Sequence, residues 1–219
     1  MVLSGTPART PARRTAPALR AARAAVHAAA LAPAALLAWR MAGVWRGGDA
    51  LGPDPVAAVE HFTGLWALRL LLATLAITPL RRLTGWSVLP RFRRMLGLYA
   101  FFYASLHLAA YLVLDLGGYW ALVFGEIARR PYITVGFLAW LLLVPLALTS
   151  TQGWMRRLGR RWGLLHRLVY AIGVLAVLHF WWVVKADVRE PALYAAVLTV
   201  LLGWRVAARF SRPRTTAAR

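Results

Sequence analysis

Residues 159–185 read GRRWGLLHRLVYAIGVLAVLHFWWVVK: a basic entrance, then an apolar stretch long enough to cross a bilayer, carrying His166 and His179 thirteen positions apart. Crossing ~30 Å of hydrocarbon takes about twenty apolar residues in a helix. No bulk water reaches a polar ring there, so each imidazole costs free energy unless something pairs with it. The source of those partners decides how the rest of the chain is read.

Five more runs of similar length lie outward from this one, giving apolar segments at about 19–39, 62–80, 95–114, 132–149, 164–184 and 191–208. With 60% hydrophobic residues in 219, an ordinary soluble domain is excluded. Runs this long, unbroken by alternation, satisfy their backbone groups as helices and not as barrel strands. The expected fold is an all-α polytopic six-transmembrane-helix bundle over 19–208. A disordered basic arm over 1–18 precedes it, and a basic tail over 209–219 follows.

The net charge of +20 is not spread over one face as in a nucleic-acid-binding domain. It falls in clusters, Arg9 to Arg23, Arg81 to Arg94, Arg156 to Arg161 and Arg205 to Arg219, which alternate crossings place on one side. The acidic residues, Asp49, Asp54, Glu60, Asp115, Glu126, Asp187 and Glu190, all fall on the other. The positive-inside rule makes both termini cytoplasmic, with inner-membrane lipids reading the charge and no nucleic acid involved. Arg13-Arg14 mimics a twin-arginine export signal, but the run that follows is flanked like an anchor. Without cysteine there are no disulfides or thiolate-held clusters, and without a glycine-rich nucleotide loop no nicotinamide site of the usual kind. Redox chemistry here requires a bound cofactor.

Runs three and five both cross from the cytoplasmic side outward, so position along each gives depth at ~1.5 Å per residue. His107 and His179 then share the outer half at matched depth. His166 lies near the cytoplasmic face, roughly 20 Å from His179 along the axis. An electron-transfer haem takes two axial ligands, and neutral imidazoles from facing helices supply them. His107 and His179 are thus candidate ligands of one haem iron, and His166 of a second on the inner side. The matching position on run three for His166 holds Arg93, not a histidine.

The competing reading for each histidine is helix-to-helix hydrogen bonding, and for His166 a solvated interfacial place. On a straight helix, positions thirteen apart differ by about 140° in azimuth. A bend, a π-bulge or different macrocycle tilts would each resolve that. Gly163 and Gly173 either admit a flat ring or serve helix packing. Arg93 and three further residues are candidate cofactor or quinone contacts. His61, beside Glu60, opens run two as a cap, a headgroup contact or a haem or partner contact. His27, in the inner half of run one, is placed to line a quinone or flavin site. Arg69 is too deep for an end residue and needs an anion: a haem propionate, Glu60 or outer headgroups.

The stretch TSTQGWMRRLGRRWGLLHRLVY (149–170), followed by LHF, resembles the ferric-reductase-like transmembrane domain. That domain carries LGxxWxxLHxLxY on its fifth helix, with a second histidine about thirteen residues on. DPVAAVEHFTGLWALRLLLATLAITPLRRL, RFRRMLGLYAFFYASLHLAAYLVLDL and RRPYITVGFLAWLLLVPLALTSTQ are similar to one branch of that superfamily, the MsrQ family. Its members are haem-binding membrane subunits of periplasmic protein-methionine-sulfoxide reductase systems, and the likeness runs from about residue 25 to 208. The resemblance implies a bacterial inner-membrane protein with b-type haem, one or two, and flavin mononucleotide. It implies electrons drawn from the respiratory quinone pool and passed to a periplasmic molybdopterin-containing methionine-sulfoxide reductase that repairs oxidised proteins. The family histidines correspond to His107, His166 and His179. Larger superfamily members place two histidines on each of helices three and five, and Arg93 departs from that pattern. The chain would then carry electrons and not itself reduce methionine sulfoxide. Two other readings are a haem-containing ferric or other metal reductase, and a cofactor-free membrane scaffold whose histidines are helix glue.

Overall fold

The computed structural model describes residues 15–184 and 186–210. Its elements are α1 (Thr15–Trp45), α2 (Pro55–Thr84), α3 (Pro90–Ala110), α4 (Trp120–Arg129), α5 (Pro131–Leu148), α6 (Gln152–Leu158), α7 (Arg160–Leu165), α8 (Leu168–Val183) and α9 (Arg189–Phe210), with no strand among the described residues. Six stretches are long and apolar enough to cross a membrane: α1, α2, α3 with its extension, α5, α7 with α8, and α9.

Helix starts follow local chemistry. Pro55, Pro90 and Pro131 open α2, α3 and α5 where a missing N–H costs nothing. Asp54 caps α2 by accepting from the Ala57 N–H at 2.9 Å. At the other end of α2, Gly85 adopts a left-handed φ of 72° and returns its N–H to the Arg81 carbonyl. The expected arm boundary moves, because residues 15–18 already belong to α1; residues 1–14 and the tail beyond Phe210 lie outside the described residues. The connection between the third and fourth spans, read from the sequence as a loop, contains α4. Its Val123 and Ile127, one turn apart, face inward, while Trp120 and Phe124 are exposed.

α2 is the centre of the bundle: 50% of its most apolar window is buried, against 17% in each other span. It lies along α3 and also touches α8 and α9, while α5 lies along α8. Lipid tails are as apolar as leucine, so close packing and internal hydrogen bonds hold such helices together. Gly173 is a case in point. A Cβ there would stand 3.2 Å from Leu198 and 3.6 Å from Leu75, so this glycine lets α2, α8 and α9 meet; Gly163 has no neighbour within 4 Å.

Two helices with internal prolines are tied near them by distant side chains. Near Pro33 of α1, the fully buried Tyr103 hydroxyl accepts from the Ala34 N–H at 3.0 Å and donates to the Ala30 carbonyl at 2.7 Å. It is inserted into what would be an i to i−4 bond of α1, and so pins that helix to α3. Pro79 of α2 cannot donate to the Leu75 carbonyl, and Arg205 of α9 donates to that carbonyl through Nη2.

The span that carries His166 and His179 is not one straight helix. α7 ends at Leu165 and α8 begins at Leu168, with His166 and Arg167 in a tightened turn whose bonds run from Arg167 to Leu164 and from Tyr170 to Arg167. The helix is thus interrupted at His166, the first of the two histidines thirteen positions apart. The π-helical turn occurs elsewhere, at Tyr111–Asp115, where it continues α3 just past His107.

Candidate functional site

His107 and His179 meet at the end of the bundle where the acidic connections lie. Their ring centres are 6.0 Å apart, and both line a cavity of about 520 Å³ enclosed by α2, α3, α4, α5 and α8. Each ring is fixed from outside its own helix. His107 Nδ1 donates to the Glu60 carbonyl of α2 at 2.9 Å, and His179 Nδ1 donates to the Tyr132 carbonyl of α5 at 2.7 Å. A carbonyl can only accept, so Nδ1 carries the proton and Nε2 is left with the free lone pair on a ring facing the cavity.

Both carbonyls lie one helical turn before a glycine on which the ring rests. A Cβ on Gly64 would come within 3.1 Å of the His107 ring, and one on Gly136 within 2.7 Å of the His179 ring. Glu60, Gly64 and His107 recur at a constant offset of 72 residues as Tyr132, Gly136 and His179. The cavity is the seam between two like hairpins, α2 with α3 and α5 with α8. Repeats that run in the same direction are a known way to build a membrane bundle. The 72-residue signal was present in the sequence, but neither glycine had been singled out, because a glycine in an apolar helix is common.

The cavity changes character with depth. Its floor is apolar and small, with Leu71, Ala100, Ala104, Ile172 and Ala176, and its rim carries Glu60, Tyr111, Asp115 and Arg130. The Glu60 Oε1 and Tyr111 Oη atoms are buried with no hydrogen-bond partner among the described residues. Arg130, unremarked in the sequence, is ion-paired with Glu126 (Nε to Oε2, 2.8 Å) and donates to the Tyr132 hydroxyl at 3.3 Å. That bond to Tyr132 raises its already high pKa, so the rim cation is permanent.

Two imidazoles sharing a metal at about 2.0 Å per bond hold their ring centres roughly 6 Å apart. A neutral imidazole whose other nitrogen is tied to a carbonyl is the form that ligates. The pair, the flat apolar space and the unpartnered polar rim therefore fit an iron macrocycle bearing acidic groups.

The remaining sequence candidates are elsewhere. His166 sits at the helix break, with Nδ1 donating to the Trp162 carbonyl at 3.1 Å and its ring stacked on Trp162 at 3.9 Å; its Nε2 is buried without a partner. Arg93 donates to Thr78 of α2 at 2.7 Å. His27 is bonded to the Tyr99 hydroxyl at 2.7 Å on the α1 side of α3. None of these three lines the cavity. His61 does line it, but instead of capping α2 it approaches Glu190 of α9 at 3.4 Å. Arg69 lies outside the cavity: it bonds Tyr194 at 2.8 Å and stands over Trp66, and its acidic neighbour is Glu190 at 4.0 Å, not Glu60.

The bundle and its facing histidines define a class, the ferric reductase like transmembrane component, whose family pattern matches residues 63–177, ending two positions before His179. Full-length comparison narrows the class. The chain is 73% identical to the protein-methionine-sulfoxide reductase heme-binding subunit MsrQ of Xanthomonas euvesicatoria pv. vesicatoria, over 87% of this chain and 88% of that protein. It is 54% identical to the protein of the same name from Bordetella parapertussis, over 77% and 83%. The chain belongs to the MsrQ family. No solved structure matches it.

Proposed function

We propose that this chain is the membrane electron carrier of a protein-methionine-sulfoxide reductase system, with His107 and His179 as axial ligands of a b-type haem. The observation that carries the proposal is the pair of cavity-facing imidazoles, each held by a carbonyl of another helix, in a chain related to proteins named as heme-binding subunits. When bound, the haem supplies one-electron chemistry. The protein's part is to hold two neutral imidazoles in fixed orientation, to exclude water with the apolar floor, and to keep the ligands at one end of the bundle.

The arginine clusters at the opposite end support a topology with both termini cytoplasmic and the cavity near the periplasmic face of a bacterial inner membrane. In that orientation electrons enter from the quinone pool on the cytoplasmic side and leave to a periplasmic molybdopterin-containing partner that reduces methionine sulfoxide. His166, with its buried and unpartnered Nε2, supports an inner cofactor site, a second haem in this reading. His27 with Tyr99, and Arg93 with Thr78, are the polar groups near that end available to quinone. His61, which lines the cavity and reaches Glu190, is proposed as a lip residue near the cofactor; Arg69 sits behind it on the same carboxylate. Flavin mononucleotide enters the proposal from family likeness alone.

The test is the visible spectrum of the purified full chain. The expected result is a dithionite-reduced b-type spectrum that survives His61→Ala and loses the component of the His107–His179 site in His107→Ala and in His179→Ala. A colourless wild-type protein with a normal helical fold overturns the proposal.

A further inference from the structure

The two hairpins that build the cavity differ in charge at its rim. The 72-residue offset that pairs His107 with His179 sets Ala58 of the first hairpin against Arg130 of the second. Among the described residues lining the cavity, Arg130 is the only arginine or lysine, and the acidic groups there are Glu60 and Asp115. Its Nε is ion-paired with Glu126 and its Nη1 bonds Tyr132, so the guanidinium is anchored on one side, with Nη2 bonded to none of the described residues. Across the rim the Tyr111 hydroxyl, one turn beyond His107, is buried with no partner. An anchored cation and an unused hydroxyl flank the polar end of a space whose other end is hydrocarbon.

We infer that Arg130, with Tyr111 as second donor, would hold the acidic groups of the cavity's occupant, so that its carboxylates lie at the rim. The inference rests on the haem reading and adds an orientation to it. An apolar floor lined by Leu71 and Ile172 offers nothing to a carboxylate, whose burial there without a partner is costly. At the rim, the Asp115 carboxylate repels it and Arg130 attracts it. The guanidinium is suited to carboxylates because it presents paired donors in a plane. A fixed cation near the iron also favours the state with one more electron.

The experiment uses the full chain in detergent, with Arg130→Gln, Arg130→Lys, Tyr111→Phe and Glu126→Gln. Three quantities are read: haem content by pyridine haemochrome, the rate of haem transfer to apomyoglobin, and the midpoint potential. In Arg130→Gln the spectrum keeps its bis-imidazole form, transfer speeds about tenfold and the potential falls, a tenfold shift in the reduction equilibrium being about 59 mV for one electron. Arg130→Lys recovers part of both effects and Tyr111→Phe shows a smaller change in transfer alone. Glu126→Gln removes a negative charge and moves the potential upward. A role limited to shaping the α4–α5 corner would move Arg130→Gln and Glu126→Gln in the same direction, which overturns the inference. So does an Arg130→Gln protein equal to wild type in both transfer rate and potential. If Arg130→Gln does not accumulate, wild-type behaviour in both Arg130→Lys and Tyr111→Phe overturns it equally. A wild-type protein without a b-type spectrum sinks the haem reading itself and is distinguishable from all of these.

Discussion

The first hairpin, α2 with α3, and the second, α5 with α8, are alike at one end of the bundle and unlike at the other. At the acidic end each supplies a carbonyl, a glycine one turn on, and a histidine bonded to that carbonyl. At the basic end the second hairpin carries His166, while the same 72-residue offset places Arg94 in the first, with Arg93 beside it bonded to Thr78. The histidines at the acidic end are oriented by tertiary contacts. His166 is oriented by its own turn, through the carbonyl four residues earlier and the Trp162 ring. The likeness builds a two-sided site at the acidic end; the unlikeness leaves the basic end with one imidazole and a cationic neighbour.

The largest test of that comparison removes one ligand at a time. His107→Ala and His179→Ala are expected to abolish the spectrum of the acidic-end site to the same extent, because in the proposed site each hairpin supplies one of two equivalent ligands. His166→Ala is expected to leave it in place, as reduced-minus-oxidised spectra would show. Equal loss in all three variants would mean that the two ends are not separate sites.

Next in size are the glycines. A methyl group at Gly136 would stand 2.7 Å from the His179 ring, closer than side chains ever pack, while at Gly64 it would stand 3.1 Å from His107. Gly136→Ala should therefore cost most of the bound haem, and Gly64→Ala a smaller part, measured as haem per protein. The reverse order would break the proposed equivalence of the two cradles.

A smaller effect is expected where the hairpins differ in their neighbours. Only the first hairpin carries α1 through Tyr103. Tyr103→Phe removes one hydroxyl that makes two bonds, but lets Ala34 and Ala30 bond each other again, so the net cost is about 1 kcal/mol. Denaturation in detergent should show it, with the haem spectrum unchanged. Smallest of all is Glu190→Gln, which loosens the clasp of His61 and Arg69 between α2 and α9. Those groups are 40–52% exposed, and such pairs contribute about 0–1 kcal/mol.

Much of this was legible in the chain itself. Six apolar runs fix six spans, because a bilayer has one thickness and a helix one rise per residue. The same bookkeeping placed His107 and His179 at one depth, and the structure brings their rings to 6.0 Å. α4 was not legible: ten residues with Gly125 inside them are too short to register as a span, and their helix shows only against the cavity they cover. The partner of Arg69 was also out of reach, because Glu60 is nearer in sequence while Glu190 arrives from a helix that only the packing of α2 on α9 brings close.

The sequence by itself determined the number of spans, the separation of acidic from basic ends, and which histidines share a depth. These follow from hydrophobic length, charge and rise, all properties of position along a chain. Tertiary structure alone decided which carbonyl holds each imidazole, that Gly64 and Gly136 are seats for rings, and that Arg130 stands at the rim. Those depend on rotation about helix axes and on contacts across 47 residues or more, and a pattern of apolar residues that surrounds a membrane helix on every side carries no record of rotation.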